Sequence, residues 1–255
     1  MQWFDAGVNL LDSRFDPHEV INRARENNVT GLCLITTEPS EWEAAAALYK
    51  QYPDTLCYTI GVHPHNARLV TDDDLKRLEQ LATAPGVVAV GECGLDFNRD
   101  FSPRDTQVAV FKAQLDIAQR LHKPVYLHER DAFEHQIACL EQVKGIEGIA
   151  HCFTGTPEQM QAYLARGLYI GITGWLCDPK RGESLREALH DLPLDRLILE
   201  TDAPYLFPKN KRPRKRNNEP AFISAVAEEV GALLNKPIED IAAVSVTNTF
   251  RLFGL

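Results

Sequence analysis

Short apolar runs rich in Val, Ile and Leu recur along this chain with amphipathic stretches between them, and that alternation restricts the fold more than any other feature. The pattern predicts strands near Phe4–Leu10, Gly31–Thr36, Cys57–Val62, Val87–Glu92, Pro124–His128, Ile146–His151, Leu168–Thr173 and Leu197–Thr201. Runs that are apolar on both faces need cover on both sides, which is the signature of a parallel sheet assembled from βαβ units. Eight of them in 255 residues suit a (β/α)8 TIM barrel, an α/β fold of typically about 250 residues. The competing arrangement is an open doubly wound sheet. No Gly-x-Gly-x-x-Gly follows the first run, and polar residues end most runs instead of only those at one switch point, so the barrel is favoured.

Helical periodicity fills the intervals. Between Asp105 and Leu121 it places Val108, Phe111, Leu115 and Ala118 on one face. Thr71 or Asp72 can open the helix that holds Leu75, Leu78 and Leu81, and Thr156-Pro157-Glu158 reads as an N-cap with Pro at N1. Beyond the last strand a loop from Pro204 to Pro220 leads to two helical stretches, near Ala221–Leu234 and Ile238–Phe250. So short a tail could hardly bury a core of its own, and a single domain over residues 1–255 is expected.

Six cysteines (Cys33, Cys57, Cys93, Cys139, Cys152, Cys177) are scattered without a Cys-x-x-Cys pair, several inside apolar runs, which points to a reducing compartment. No secretory leader is legible at Met1-Gln2-Trp3-Phe4-Asp5, and no run approaches the length of a membrane span; a cytoplasmic protein that needs no membrane is expected. The formal charge of −9 argues against a general nucleic-acid coat protein. It leaves room for a nuclease, which needs positive charge only along the phosphates.

In a barrel the C-terminal strand ends share one mouth, where residues far apart in sequence can meet. Those ends carry Asn9, His63 with His65, Glu92, His128, His151 and Asp202. Singly, a His after an apolar run is an ordinary hydrogen-bonded structural residue. Three successive ends bearing Glu92, His128 and His151 form instead the nitrogen and oxygen inventory of a divalent-metal site.

Gly61-Val62-His63-Pro64-His65, Gly91-Glu92-Cys93-Gly94-Leu95-Asp96, Leu127-His128 with Arg130-Asp131-Ala132, His151-Cys152-Phe153-Thr154-Gly155 and Glu200-Thr201-Asp202-Ala203-Pro204-Tyr205 resemble, in order, the signatures of the TatD family of metal-dependent deoxyribonucleases. The resemblance implies a TIM-barrel metallohydrolase of the amidohydrolase-like kind, an exonuclease working 3′ to 5′ on single-stranded DNA or DNA ends, with RNA as a further substrate and DNA repair or degradation as its setting. Carried over position by position, it makes Glu92, His128 and His151 metal ligands and Asp202 the essential acid, itself near a metal. His63 becomes a mouth residue that contacts substrate or supports the metal. Many relatives open with Asp-x-His-x-His, where this chain has Asp5-Ala6-Gly7-Val8-Asn9. A second ion would then rely on Glu92, Asp202, Asn9 and water, a setting that suits Mg²⁺ or Mn²⁺ better than tightly held Zn²⁺.

Further residues bear on substrate. Lys209, Lys211, Arg212, Arg214, Lys215 and Arg216 crowd one loop of an otherwise acidic chain, where they can clamp phosphates; a solvated loop or a nuclear-import signal is the plainer alternative. Arg130, just past His128, can take a phosphate oxygen or pair with Asp131 or Glu129, and His65 accompanies it at the mouth. Phe97, Phe153, Trp175 and Tyr205 are placed to stack on bases or to pack in the core. The fitting chemistry is phosphodiester hydrolysis, with Glu92, Asp202 and His63 the catalytic candidates. Rival readings are an amide or ester hydrolase on the same scaffold, cleaving a cyclic amide or an aminoacyl-tRNA ester, and a non-catalytic nucleic-acid binder with a structural metal.

Overall fold

Each expected strand forms, and the computed structural model, which describes residues 1–255, sets helices between them. In chain order the elements are β1 (Trp3–Val8), α1 (Pro17–Glu26), β2 (Val29–Leu34), α2 (Trp42–Gln51), β3 (Leu56–Ile60), α3 (Asp72–Leu81), β4 (Val87–Asp96), α4 (Arg104–Leu121), β5 (Val125–Arg130), α5 (Phe133–Leu140), β6 (Gly148–Ala150), α6 (Pro157–Leu164), β7 (Tyr169–Ile172), α7 (Glu183–Leu189), β8 (Leu197–Leu199), α8 (Ile223–Leu234) and α9 (Ile238–Phe253). The strands follow one another in one sheet in the order β1 to β8, the (β/α)8 architecture. Contacts group the chain into two compact units, Met1–Leu34 with Cys152–Leu255, and Ile35–His151.

In the first unit the parallel order is β7, β8, β1, β2. Ile170, Gly171 and Ile172 face Leu197, Ile198 and Leu199, and Phe4 and Asp5 face Gly31 and Leu32. Between β8 and β1, Asn9 N donates to Ala203 O at 2.8 Å and Asp202 N to Gly7 O at 2.9 Å. Strand β1 is buried throughout, as a strand covered on both faces must be. Helices α8 and α9 pack against β1 and β8, and Val226, Val230, Ile241 and Leu252 on them are buried.

The second unit holds β3, β4, β5 and β6, also parallel, with Tyr126 of β5 between Gly91 of β4 and Ile149 of β6. Its core includes Tyr58, Ile60, Leu78, Val90, Phe111 and Leu115. The cap signals form as read. Thr71 Oγ1 accepts from Asp74 N at 3.2 Å while Asp74 Oδ2 accepts from Thr71 N at 3.0 Å, and Thr156 and Gln159 repeat this box with Pro157 at the helix start.

Strand β4 differs from its sequence reading. It was expected to end at Glu92, yet it runs on to Asp96 and carries Glu92 inside it. The register with β5 slips there: Gly91 faces Tyr126 and Cys93 faces Leu127, so Glu92 is the extra residue of a bulge that re-aims its side chain. Nothing in the apolar pattern marks a bulge. Its signal is glycine, since Gly94, at φ +141°, lies so close to β5 that a Cβ would collide with the His128 carbonyl oxygen.

Candidate metal centre

The bulge brings Glu92 into a nest of imidazoles in the second unit. Glu92 Oε1 lies 2.9 Å from His128 Nδ1, 3.5 Å from His63 Nε2 and 3.8 Å from His151 Nε2. Donors sharing one divalent ion at about 2.1 Å sit roughly 3.0–3.5 Å apart, so the His128 and His63 separations are close to those of a coordination edge and the His151 separation is longer. Ligand atoms of His63, Glu92 and His128 all lie within 4.8 Å of one another. The chemistry of the donor set fits a divalent ion.

Second contacts decide which nitrogen faces inward. Tyr126 OH meets His151 Nδ1 at 2.9 Å, which turns Nε2 toward Glu92. His63 is held differently: its Nδ1 must accept, because the partner is the backbone N–H of His65, at 3.1 Å. The proton of neutral His63 therefore sits on Nε2 and points at Glu92 as a donor. Burial and the neighbouring His128 push His63 down to about 3, so it is neutral near pH 7. The ligand atoms of Glu92 and His128 thus face one another with Nε2 of both His63 and His151 turned toward Glu92, and the tautomer set by His65 N makes His63 Nε2 a donor.

His128 lies between two buried carboxylates. Its Nδ1 faces Glu92 and its Nε2 faces Asp96 Oδ2 at 3.2 Å, and His65 Nε2 reaches the same Asp96 oxygen at 2.7 Å. Burial alone would lower His128, but the hydrogen bonds and charges of Asp96 and Glu92 outweigh it and raise the group to about 9. Burial likewise opposes ionisation of both acids, and the imidazoles hold Glu92 and Asp96 below the usual carboxylate range. The pocket is built around positive charge. Asp96 closes the same sequence motif as Glu92, and its signal there is spacing, since residues four apart on a strand share a face. Tyr126 carried no signal beyond its apolar run.

Asp202 belongs to the first unit. Its φ of 52° lies in the left-handed region, which an Asp tolerates, and its Oδ1 accepts from Asn9 Nδ2 at 3.0 Å. Asn9, expected at a strand end as support for a second ion beside Asp202, is bonded to Asp202 directly. A carboxylate oxygen of Asp202 and Cys152 Sγ lie within 4.8 Å of each other. In the same unit Asp5 is fully buried, accepting from Thr201 N at 2.8 Å, from Thr201 Oγ1 at 2.5 Å and from Gly7 N at 3.2 Å. Burial dominates there and raises Asp5 to about 7.

Of the other expected site residues, His65 joins the imidazole cluster and the cations do not. His65 is tied to Asp96 as described, and Arg130 lies at the exposed end of β5, across the ladder from Asp96. The basic loop folds partly on itself: Arg212 donates to the carbonyls of Lys209 and Lys211, Lys209 Nζ pairs with Asp178 at 2.7 Å, and Lys215 Nζ sits 4.9 Å from the Phe222 ring centre. Arg214 and Arg216 are exposed. Of the aromatic candidates, Phe97 and Phe153 are core residues, Trp175 is half-buried under the Arg181 guanidinium, and Tyr205 is exposed with Arg14 over its ring. All six cysteines are free thiols. No helix is long and apolar enough to cross a membrane.

Residues 4–254 match the family model described as TatD related DNase. Among curated proteins, one named 3′-5′ ssDNA/RNA exonuclease TatD from Erwinia tasmaniensis is 45% identical over 258 residues, spanning 99% of this chain and 100% of its own. A protein of the same name from Escherichia fergusonii is 44% identical over 259 residues, 99% of each chain. Among solved structures, YJJV, a TatD homolog from Escherichia coli K12, superposes with a TM-score of 0.90 at 29% identity, covering 99% of this chain and 98% of that one. A TatD family hydrolase from Entamoeba histolytica gives 0.89 at 24% identity over the same shares.

Proposed function

The chain belongs to the family of TatD-related DNases, and from that premise we propose that it is a divalent-metal-dependent exonuclease that shortens single-stranded DNA and RNA from the 3′ end. The observation that carries the reading is the convergence of three imidazole nitrogens on Glu92 Oε1. Mg²⁺ is the proposed ion in the cell. Mn²⁺ is the better probe, because imidazole nitrogen binds it more tightly.

A bound divalent ion would supply Lewis acidity toward a phosphoryl oxygen and lower the pKa of water. The remaining roles fall to side chains. Glu92, His128 and His151 are the proposed ligands, with Tyr126 and Asp96 fixing the two rings from behind. His63 Nε2–H is the proposed donor to a non-bridging phosphoryl oxygen, a task for which a neutral, buried imidazole is suited. Asp202, oriented by Asn9, is the proposed acceptor of the proton lost by the attacking water. His65, Arg130 and the loop cations Lys211, Arg212, Arg214 and Arg216 are the proposed contacts to the rest of the strand, at phosphates. Cytoplasmic residence accords with six free thiols.

The test uses a 5′-labelled single-stranded oligonucleotide. Wild type with Mg²⁺ or Mn²⁺ should give a ladder shortening from the 3′ end, abolished by EDTA. His128→Ala and Asp202→Asn should lose at least about two orders of magnitude in kcat while keeping the native circular dichroism spectrum. Hydrolysis that survives EDTA, or near-wild-type turnover by either variant, overturns the reading.

A further inference from the structure

One aromatic side chain beside the candidate metal centre is exposed on an otherwise immobilised loop. Phe101, in the turn between β4 and α4, is 54% exposed. Its neighbours are fastened. Asp96 Oδ1 accepts from the N–H groups of Asn98 and Arg99, both at 3.0 Å. Asp100 takes a two-pronged bond from Arg104 at 2.9 and 2.8 Å. Ser102 is fully buried, donating from Oγ to His65 O at 2.8 Å and accepting from Arg68 N at 3.0 Å. Gln107 Nε2 closes the turn on the Ser102 carbonyl at 2.9 Å. A loop so held has little freedom to fold its phenyl ring away from water.

The ring is also tied to the chemistry. Its centre lies 4.8 Å from that of His65 in an edge-to-face contact, and His65 is bonded to the Asp96 oxygen that His128 shares. The Arg99 guanidinium stands 6.0 Å from the ring centre. An aromatic face with an adjacent exposed guanidinium is the pairing that takes a base and its phosphate together, in a sequence-tolerant manner.

We propose that Phe101 is the stacking platform for a nucleobase of the substrate strand at its reacting end, with Arg99 on the adjoining phosphate. This rests on the nuclease reading and adds a subsite to it. A platform of this kind needs an unpaired base, so it selects single strands over duplex.

The test compares wild type, Phe101→Ala and Phe101→Trp on two oligonucleotides of the same length, one with ordinary bases and one with abasic residues at its 3′ end. Phe101→Ala should raise KM for the base-bearing strand roughly 10- to 100-fold with a smaller change in kcat, and Phe101→Trp should restore it. On the abasic strand the three proteins should share one KM. A 3′-terminal 2-aminopurine should be quenched on binding to wild type and remain bright with Phe101→Ala. If wild type degrades the base-bearing strand and Phe101→Ala matches it in KM, or if Phe101→Ala loses equally on the abasic strand, the platform is overturned while the nuclease reading stands. If wild type degrades neither strand, both fall.

Discussion

Replacing Asp96 by Asn tests whether this carboxylate sets the state of His128. The change keeps an oxygen for the backbone bonds to Asn98 and Arg99 and removes the negative charge facing His65 and His128. His128 stands near 9 against an ordinary value of 6.5. A raised folded-state value stabilises the metal-free protein fully below about pH 6.5 and loses that effect as the pH climbs through about 9; at pH 7 it is worth about 2.5 kcal/mol. Asp96 is the largest of the influences that raise the group, so its loss should lower the His128 midpoint by at least about one unit. The corresponding destabilisation is about 1 kcal/mol at pH 7 and close to zero at pH 10. Imidazole proton shifts followed by NMR against pH give the first quantity, and urea unfolding of metal-free protein at the two pH values gives the second. With the ring no longer held at Nε2, Mn²⁺ affinity should also fall about 10- to 100-fold. An unmoved His128 midpoint, or a stability loss that is the same at both pH values, refutes the reasoning.

The basic loop should act on binding and its salt dependence. Changing Lys211, Arg212, Arg214 and Arg216 together to Ala should flatten the log–log salt slope for a single strand by about 0.7 for each phosphate that is no longer neutralised, and an unchanged slope means the loop does not follow the backbone. Asp5 should impose a pH dependence of the opposite chemical origin, an acid favoured in its neutral form by burial. Its raised value means stability is fully present below about pH 4 and declines as the pH rises through about 7, by an amount on the order of 4 kcal/mol. Asp5→Asn should remove that part of the decline in urea unfolding curves; a wild type and variant with parallel pH profiles would show that Asp5 titrates normally.

The eight-strand alternation was legible because parallel strands buried on both faces leave long apolar runs, and because Thr71 and Thr156 announce the helices they cap. Polar residues after such runs also gave Glu92, His128 and His151, since an acid or imidazole at the edge of a buried strand needs a reason to be there. What stayed hidden depends on three-dimensional detail. The bulge at Glu92 arises from the closeness of β4 to β5, which appears in sequence only as glycine. His63 and His151 both have Nδ1 engaged and Nε2 toward Glu92, and what sets them apart is the chemistry of the neighbour: a backbone N–H can only donate, whereas the Tyr126 hydroxyl can donate or accept. Phe101 could not be told from Phe97, four residues away, because only the hydrogen bonding of the loop leaves one ring buried and the other in water.

In the proposed site Glu92, His128 and His151 hold one ion while His63 donates beside it. Anomalous diffraction from crystals soaked in Mn²⁺ reads this directly. A peak at about 2.1–2.3 Å from a Glu92 carboxylate oxygen and from one nitrogen each of His128 and His151, with His63 Nε2 beyond bonding distance of the metal, is the predicted result. A peak bonded to His63 in place of His151, or ordered Mn²⁺ only at sites away from Glu92, contradicts it.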